Sequence, residues 1–332
     1  MDITYFLRSN KKAISIGKAF RPLIAEIGKT EEVETFYMPS AAYGIKGVLQ
    51  NLWFTFKHRN KHGINHVTGD CHFIILALLG CKTVLTVHDL GFYTEHLHEL
   101  SWLKRKRRYY LQIYLPIKLA TVVIAISEKT RQEILKTVPY RREIMIAKHV
   151  SIDAFPYTPK VLDKQKVRIM QSGTGPNKNL ETTIRALADS PYELRVVRKM
   201  TEAQMQLAKD CHVSFSNVYN LTDEEMTKEY QDADIVVMPS IYEGFGAMVI
   251  EAQATGRPVI TTDREPMRSV SGGAAYLLKD PLDAAEIRCA VSKIVNDDDY
   301  RNGLIEAGSK NAAKYSLANC AKEHIELYKK IR

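Results

Sequence analysis

Residues Pro239 to Val259 read PSIYEGFGAMVIEAQATGRPV, and the order of residue types in this stretch decides the fold class. An apolar run, Asp234 to Met238, leads into it and reads as a buried strand of a parallel sheet. Gly244 and Gly246 then bracket Phe245 in a turn, and Ala247 to Ala254 are good helix formers. Gly256 and Pro258 end that helix before a second apolar strand, Pro258 to Thr262. Strand, glycine turn, helix and strand place the turn at a strand's carboxyl end and a helix's start. Backbone N–H groups and the positive end of the helix dipole favour an anion there.

Two carboxylates frame the turn, Glu243 before it and Glu251 two helical turns later. A carboxylate repels phosphate but accepts well from the hydroxyls of a sugar or ribose. Taken singly, Glu243 could complement a helix N-terminus and Glu251 could be a solvated helix residue. Beside an anion-binding backbone, the pair suits a ligand that is part phosphate and part sugar.

The same alternation surrounds the stretch. Val167 to Ser172 reads as a strand, followed by G-T-G-P-N-K-N at 173–179 and a helix from Leu180. Such a turn can hold phosphate through backbone N–H groups and the Lys178 ammonium. It is neither a Walker loop nor a G-x-G-x-x-G, so nothing supports an NTPase or a dehydrogenase. Leu194 to Val197 is a strand ending in Arg198-Lys199-Met200. Val213 to Tyr219 is another, with an acidic helix from Asp223 to Tyr230 after it. A strand at 274–278 and two helices follow.

The first half repeats the pattern with less glycine. Ile3 to Leu7 is a short strand, and a helix then carries Ile16, Phe20, Leu23, Ile24 and Ile27 on one side, with a kink expected at Pro22. Ile45, Val48, Leu49, Leu52, Trp53 and Phe56 recur at helical spacing, most simply as a core-facing stripe. The alternative is a face resting on lipid headgroups, helped by Lys46, Lys57 and Arg59. Strands at 65–69 and 82–88 end in polar residues, where open parallel sheets bind ligands. A helix over 101–118 is expected to stop at Pro116, and Ser127 to cap the helix from Glu128. A strand at 143–149 comes last, and Phe155 to Lys166 reads as an interdomain linker.

At 332 residues the chain suits two domains, and 45% hydrophobic with 26% charged residues argues against disorder. The five cysteines are scattered without C-x-x-C spacing, which points to reduced thiols in a cytosol. No run approaches the roughly 20 apolar residues that span a bilayer. The net charge of +9 calls for an anionic partner, and K-R-K-R-R at 104–108 with Tyr109 and Tyr110 is its densest run. Basic residues beside aromatics can track nucleic acid, but no nucleic-acid-binding signature accompanies them, and a solvated helix face explains them equally well.

E-G-F-G at 243–246, the seven residues between Glu243 and Glu251 and the A-x-G-R-P-V ending at 254–259 resemble the donor-site motif of retaining GT-B glycosyltransferases. The likeness is to the large family 4-like, group 1 set that builds polysaccharides and glycolipids, and it covers most of residues 165–315. It implies an α/β fold of two Rossmann-like parallel-sheet domains facing across a cleft, 1–157 and 164–316, with a last helix near 317–332 returning to the first. It also implies a retaining, metal-independent transfer from a nucleotide-diphosphate sugar to an acceptor hydroxyl, with the leaving phosphate accepting the proton. No cofactor is expected beyond that co-substrate.

The site residues carry over by position. G-T-G-P-N-K-N is similar to a subgroup's G-T-x-x-N-K-N, so Lys178 is expected at the donor diphosphate with Gly173 and Thr174. Lys199 is a second cation, in a tripeptide where relatives read G-K-L and Arg198 replaces the glycine. Val218 meets the base through its backbone. Gly244, Phe245 and Gly246 line the donor, Glu251 holds the ribose and Glu243 the sugar. V-H-D at 87–89 matches a first-domain motif that makes His88 a catalytic contact alongside Lys178 and Glu243. Asn10, Lys11, Ser15, Asp70, His72 and Asp89 are candidates for the acceptor, although the family's glycine-rich loop is here S-N-K-K-A-I-S-I-G at 9–17. The chain also departs from the pattern at Ala247-Met248, where a proline is usual, and at Arg268-Ser269, where relatives carry Glu. Expected partners are a nucleotide sugar, a saccharide or lipid-linked saccharide acceptor and an anionic membrane surface, at the inner face of the plasma membrane. The rival is a basic membrane- or nucleic-acid-binding protein without chemistry, which leaves the spacing of Lys178, Lys199, Glu243 and Glu251 to chance.

Overall fold

A computed structural model describes residues 1–9, 14–41, 44–90, 101–140, 142–149 and 151–331. The chain forms two compact units, Met1–Ser151 with Leu317–Arg332, and Ile152–Ser316. The segment read as a linker belongs to the second unit. Phe155 meets the Tyr230 ring edge-on at 5.5 Å, Lys160 pairs with Asp234 at 2.7 Å, and buried Arg257 donates to the Thr158 carbonyl.

Each unit is a six-stranded, wholly parallel sheet. In the first the order is β2-β1-β3-β4-β5-β6, from β1 (Asp2–Leu7), β2 (Glu32–Tyr37), β3 (Ile64–Val67), β4 (Lys82–Val87), β5 (Val122–Ala125) and β6 (Ile144–Ile146). β3 and β4 are buried almost throughout, as strands covered on both faces must be, and in β3 the buried polar Asn65 and His66 are hydrogen-bonded to the Asn60 carbonyl and to Tyr328 Oη. β2, with sequence EVETFY, lies at the sheet's edge and is half wet, so it forms without an apolar run. The helix Ile14–Ile27 runs unbroken across Pro22, and the helix Leu317–Lys329 packs beside it within this unit. Tyr328 from that helix is fully buried, and its hydroxyl meets Tyr5 Oη at 2.9 Å and His66 Nδ1 at 2.6 Å.

Two helices depart from expectation. The helix Ile45–His58 splits the expected stripe: Val48 and Leu52 pack half-buried against the core, but Ile45, Leu49, Trp53 and Phe56 face solvent while Gly47, Asn51 and Thr55 are buried. Asn51 explains the orientation, since its amide accepts from Ser40 N–H and donates to Ser40 O, both at 3.0 Å. The expected stop at Pro116 does not occur either. Trp102–Tyr109 passes into a wider π turn at Tyr110–Tyr114, and helix resumes over Leu115–Leu119. Proline lacks the N–H that would bond Gln112, so the ladder lengthens and the freed Gln112 carbonyl accepts from His72 Nδ1 at 3.0 Å.

The second sheet has the order β12-β11-β10-β7-β8-β9, from β7 (Arg168–Ser172), β8 (Glu193–Val197), β9 (Ser214–Val218), β10 (Ile235–Met238), β11 (Val259–Thr262) and β12 (Tyr276–Leu278). The chain starts at β7, moves out through β8 and β9, then returns to the other side of β7 with β10. The direction of winding therefore reverses between β7 and β10, the place where open α/β sheets bind ligands.

Candidate functional site

The carboxyl ends of β10, β7 and β8 lie side by side, and each opens into a turn singled out by its sequence. After β7, Gly173 takes φ +101°, and a Cβ there would stand 2.6 Å from Lys178 Cγ. The glycine thus lets the lysine stem fold back over its own turn. After β10, Gly246 takes φ +89° and starts the helix Ala247–Ala254. The Lys178 ammonium crosses between the turns and pairs with Glu243 Oε1.

Three asparagines tie these turns down, two of them, Asn177 and Asn179, within the G-T-G-P-N-K-N motif. Asn177 O accepts from Ile241 N–H at 2.8 Å while its amide donates to Tyr242 O at 3.2 Å. Asn179, in the left-handed region at φ +56°, donates to Pro281 O at 2.6 Å and to Pro239 O at 3.3 Å. Asparagine tolerates that backbone because its short side chain bonds locally. After β8, Asn217 donates to Arg198 O at 2.6 Å and accepts from Met200 N–H at 3.1 Å, fixing the tripeptide that holds Lys199. Thr174 Oγ1 donates to Lys199 O at 2.9 Å, joining the β7 and β8 turns.

Lys178, Glu243, Thr174 and Lys199 therefore share one end of one sheet. Arg198, which the resemblance sets at a glycine position, is exposed and takes a φ of +100° in the region that favours glycine. Val218 pairs with Val197 in register, and its carbonyl accepts from Arg198 N–H at 2.8 Å. Glu251 lies further along the helix and accepts from Tyr230 Oη at 2.6 Å. Burial pushes the Glu251 carboxyl up despite that bond. Phe245 stacks edge-on against Tyr315 at 6.1 Å. Arg268 bonds back to Asp263, at 2.6 Å to Oδ1 and 2.9 Å to the carbonyl. The chain has Asp-x-Asp triplets at Asp232–Asp234 and Asp297–Asp299, neither of them at this site. Asp234 sits at the opposite, amino end of β10, accepting from Arg168 N–H, and Asp297 caps a helix.

In the first unit the winding reverses between β1 and β3, and Arg8 after β1 pairs with Asp70 after β3. His88, after β4, donates from Nε2 to Thr68 O at 2.8 Å, which leaves Nδ1 as its unprotonated nitrogen. Burial keeps its pKa below the ordinary imidazole value. Its ring meets Phe20 at 5.9 Å and His149 at 5.1 Å. Asp89 is exposed next to it. His72 is buried on the Gln112 carbonyl rather than presented at the sheet's end. Asn10 and Lys11 lie outside the described residues, and Ser15 falls in the first turns of the helix Ile14–Ile27.

Residues 158–311 match the family model described as glycosyl transferases group 1, and residues 35–147 match glycosyltransferase family 4. The O-antigen chain mannosyltransferase B of Escherichia coli is 26% identical over 271 residues, 75% of this chain and 70% of that protein. A D-inositol 3-phosphate glycosyltransferase of Corynebacterium urealyticum is 40% identical over 109 residues, 32% of this chain and only 26% of that relative's length. Among solved structures, Anabaena Alr3699/HepE in complex with UDP and glucose aligns over 99% of this chain and 100% of its own, with TM-score 0.75 and 14% identity. A sucrose-phosphate synthase from Thermosynechococcus elongatus aligns over 100% and 99%, with TM-score 0.78 and 16% identity. At such identities the likeness is one of fold, and that fold is GT-B.

Proposed function

The chain belongs to the group 1 glycosyl transferases, and from that premise we propose that it transfers a sugar from a nucleotide-diphosphate donor to an acceptor hydroxyl with retention of configuration. The observation that carries this reading is the Lys178–Glu243 pair at the winding reversal of the second sheet, with Lys199 on the adjoining turn. Cleaving the bond between the anomeric carbon and the phosphate oxygen leaves charge on the diphosphate. Lys178, Lys199 and the backbone N–H groups at Gly244 to Gly246 answer that charge in a fixed arrangement, without a metal ion. The acceptor oxygen forms the new bond, and its proton passes to the departing phosphate. Glu243 accepts from donor-sugar hydroxyls, and Glu251, one oxygen already held by Tyr230, accepts from the ribose. In the first unit, the resemblance makes His88 the residue to test for a part in the reaction, and Asp70 and Asp89 those to test for acceptor binding.

The named relatives include a mannosyltransferase acting on an O-antigen chain, so a saccharide or a lipid-linked saccharide is the acceptor class. Screening UDP-, GDP-, ADP- and dTDP-sugars for a rise in melting temperature tests the donor. A ligand at 100 times its Kd adds about 2.7 kcal/mol to the folded state. Proton NMR of the product then reads the anomer. If none of the four donors stabilises the protein, or if the product is inverted, the proposal fails.

A further inference from the structure

The helix Ile45–His58 and the basic helix Trp102–Tyr109 belong to the same unit and border a common groove of about 260 Å³. Its floor is apolar, from Val48, Leu49, Phe73 and Leu111, and Lys104 and Arg107 stand at its rim. Around it the surface is unlike an ordinary wet face. Leu49, Trp53 and Trp102 are 59%, 61% and 67% exposed, and Ile45, Phe56 and Leu103 join them. Cations lie on three of the exposed rings: Lys57 over Trp53 at 4.9 Å, Arg59 over Phe56 at 3.6 Å and Lys106 over Trp102 at 5.0 Å.

The charge is one-sided. Residues 35–127 hold eleven Lys and Arg but four Asp and Glu, and neither helix contains an acid. Lys104, Arg105, Lys106 and Arg107 have no carboxylate partner among the described residues. Exposed tryptophan beside cations, around an apolar furrow, matches the boundary of a lipid bilayer, where rings sit at headgroup depth and ammonium groups reach phosphates. Nucleic acid would use the charge and the rings but has no use for the aliphatic Ile45, Leu49 and Leu103. Burying Asn51 and Thr55 while exposing that stripe is the reverse of what a free water-facing helix does.

We propose that this face of the first unit docks on an anionic lipid bilayer, with the two helices at headgroup depth and hydrocarbon chain seated in the groove between them. No helix among the described residues is long and apolar enough to cross a membrane. The proposal is independent of the donor chemistry, since no residue of the second unit takes part.

Trp53 and Trp102 are the protein's two tryptophans, so indole fluorescence reports on this face alone. The full chain is mixed with vesicles of phosphatidylcholine alone or with one-third phosphatidylglycerol, and with lipids brominated along the acyl chain. Emission is expected to shift to the blue and to be quenched only with the anionic vesicles. Each cation near such a surface contributes about five-fold to the partition coefficient, so Lys104→Glu with Arg107→Glu lowers it at least ten-fold. Trp53→Ser should remove part of the shift and weaken flotation. The proposal is overturned if emission is unchanged while the chain floats with vesicles, or if the charge-reversed variant binds as well as the parent. It is equally overturned if an oligonucleotide, and not the vesicles, shifts the tryptophans.

Discussion

Lys178 and Glu243 join the turn after β7 to the turn after β10 by an ion pair spanning 65 residues of sequence. Neither turn can move without stretching that contact and the Asn177 bonds beside it. The carboxylate holds the ammonium at the winding reversal, so on the proposed reading a diphosphate bound there would meet a cation already in place, with little reorganisation left at the moment of reaction.

That arrangement depends on a missing side chain. Gly173→Ala places a Cβ 2.6 Å from Lys178 Cγ on a backbone at φ +101° that alanine resists. Turnover is expected to fall by about two to three orders of magnitude, the cost of one lost charge-stabilising donor. Steady-state rates beside circular dichroism check this, with secondary structure kept and activity lost.

Arg198 gives a prediction of opposite sign. An arginine at φ +100° is strained by about 1–3 kcal/mol, and glycine relieves it. Arg198→Gly should raise the melting temperature of the second unit by roughly 2–4 °C per kcal/mol recovered. A thermal melt decides, and an unchanged or lower midpoint contradicts the strain.

Glu251 couples stability to function. Burial raises its carboxyl pKa above the ordinary value, so the folded unit binds that proton more tightly than the unfolded chain does. Stability from this group is therefore largest below the ordinary pKa and is lost as pH rises through the raised one. Glu251→Gln, which keeps an acceptor for Tyr230, should melt higher than the parent at neutral pH and lose that advantage in acid. It should also bind the nucleotide sugar more weakly, as isothermal titration can show.

The first unit answers to acid in another way. His66, His88, His149 and His324 are all held below the ordinary imidazole pKa by burial, and they ring Phe20 and Tyr328. As pH falls the unfolded chain takes protons first, so the stability these groups carry is complete above about 6.5 and drains away below it. Differential scanning calorimetry between pH 7.5 and 5 should show the melting of this unit falling first. A flat profile over that range contradicts it.

Much of the second unit was legible because its signals are local. A helix start at Ala247, a turn at Gly173 and a cation at Lys178 follow from neighbours in the chain. The bonds from Asn177, Asn179 and Asn217 were not legible, since their partners lie on other turns and asparagine in a loop is commonplace. In the first unit, the stripe Ile45 to Phe56 has the period of a buried face, but the Asn51–Ser40 bonds rotate the helix so that only Val48 and Leu52 of that stripe meet the core. Periodicity states that a helix has two faces; it does not state which one meets water. The helix across Pro116 likewise depended on His72 accepting the role of partner to a freed carbonyl.

The central claim is that Lys178 grips the donor's diphosphate, and melting curves with UDP, GDP, ADP and dTDP, on the parent and on Lys178→Ala, test it most directly. The account requires at least one of the four to raise the parent's midpoint while the same concentration leaves the variant nearly unmoved. An equal rise in both proteins would mean that the diphosphate is held elsewhere.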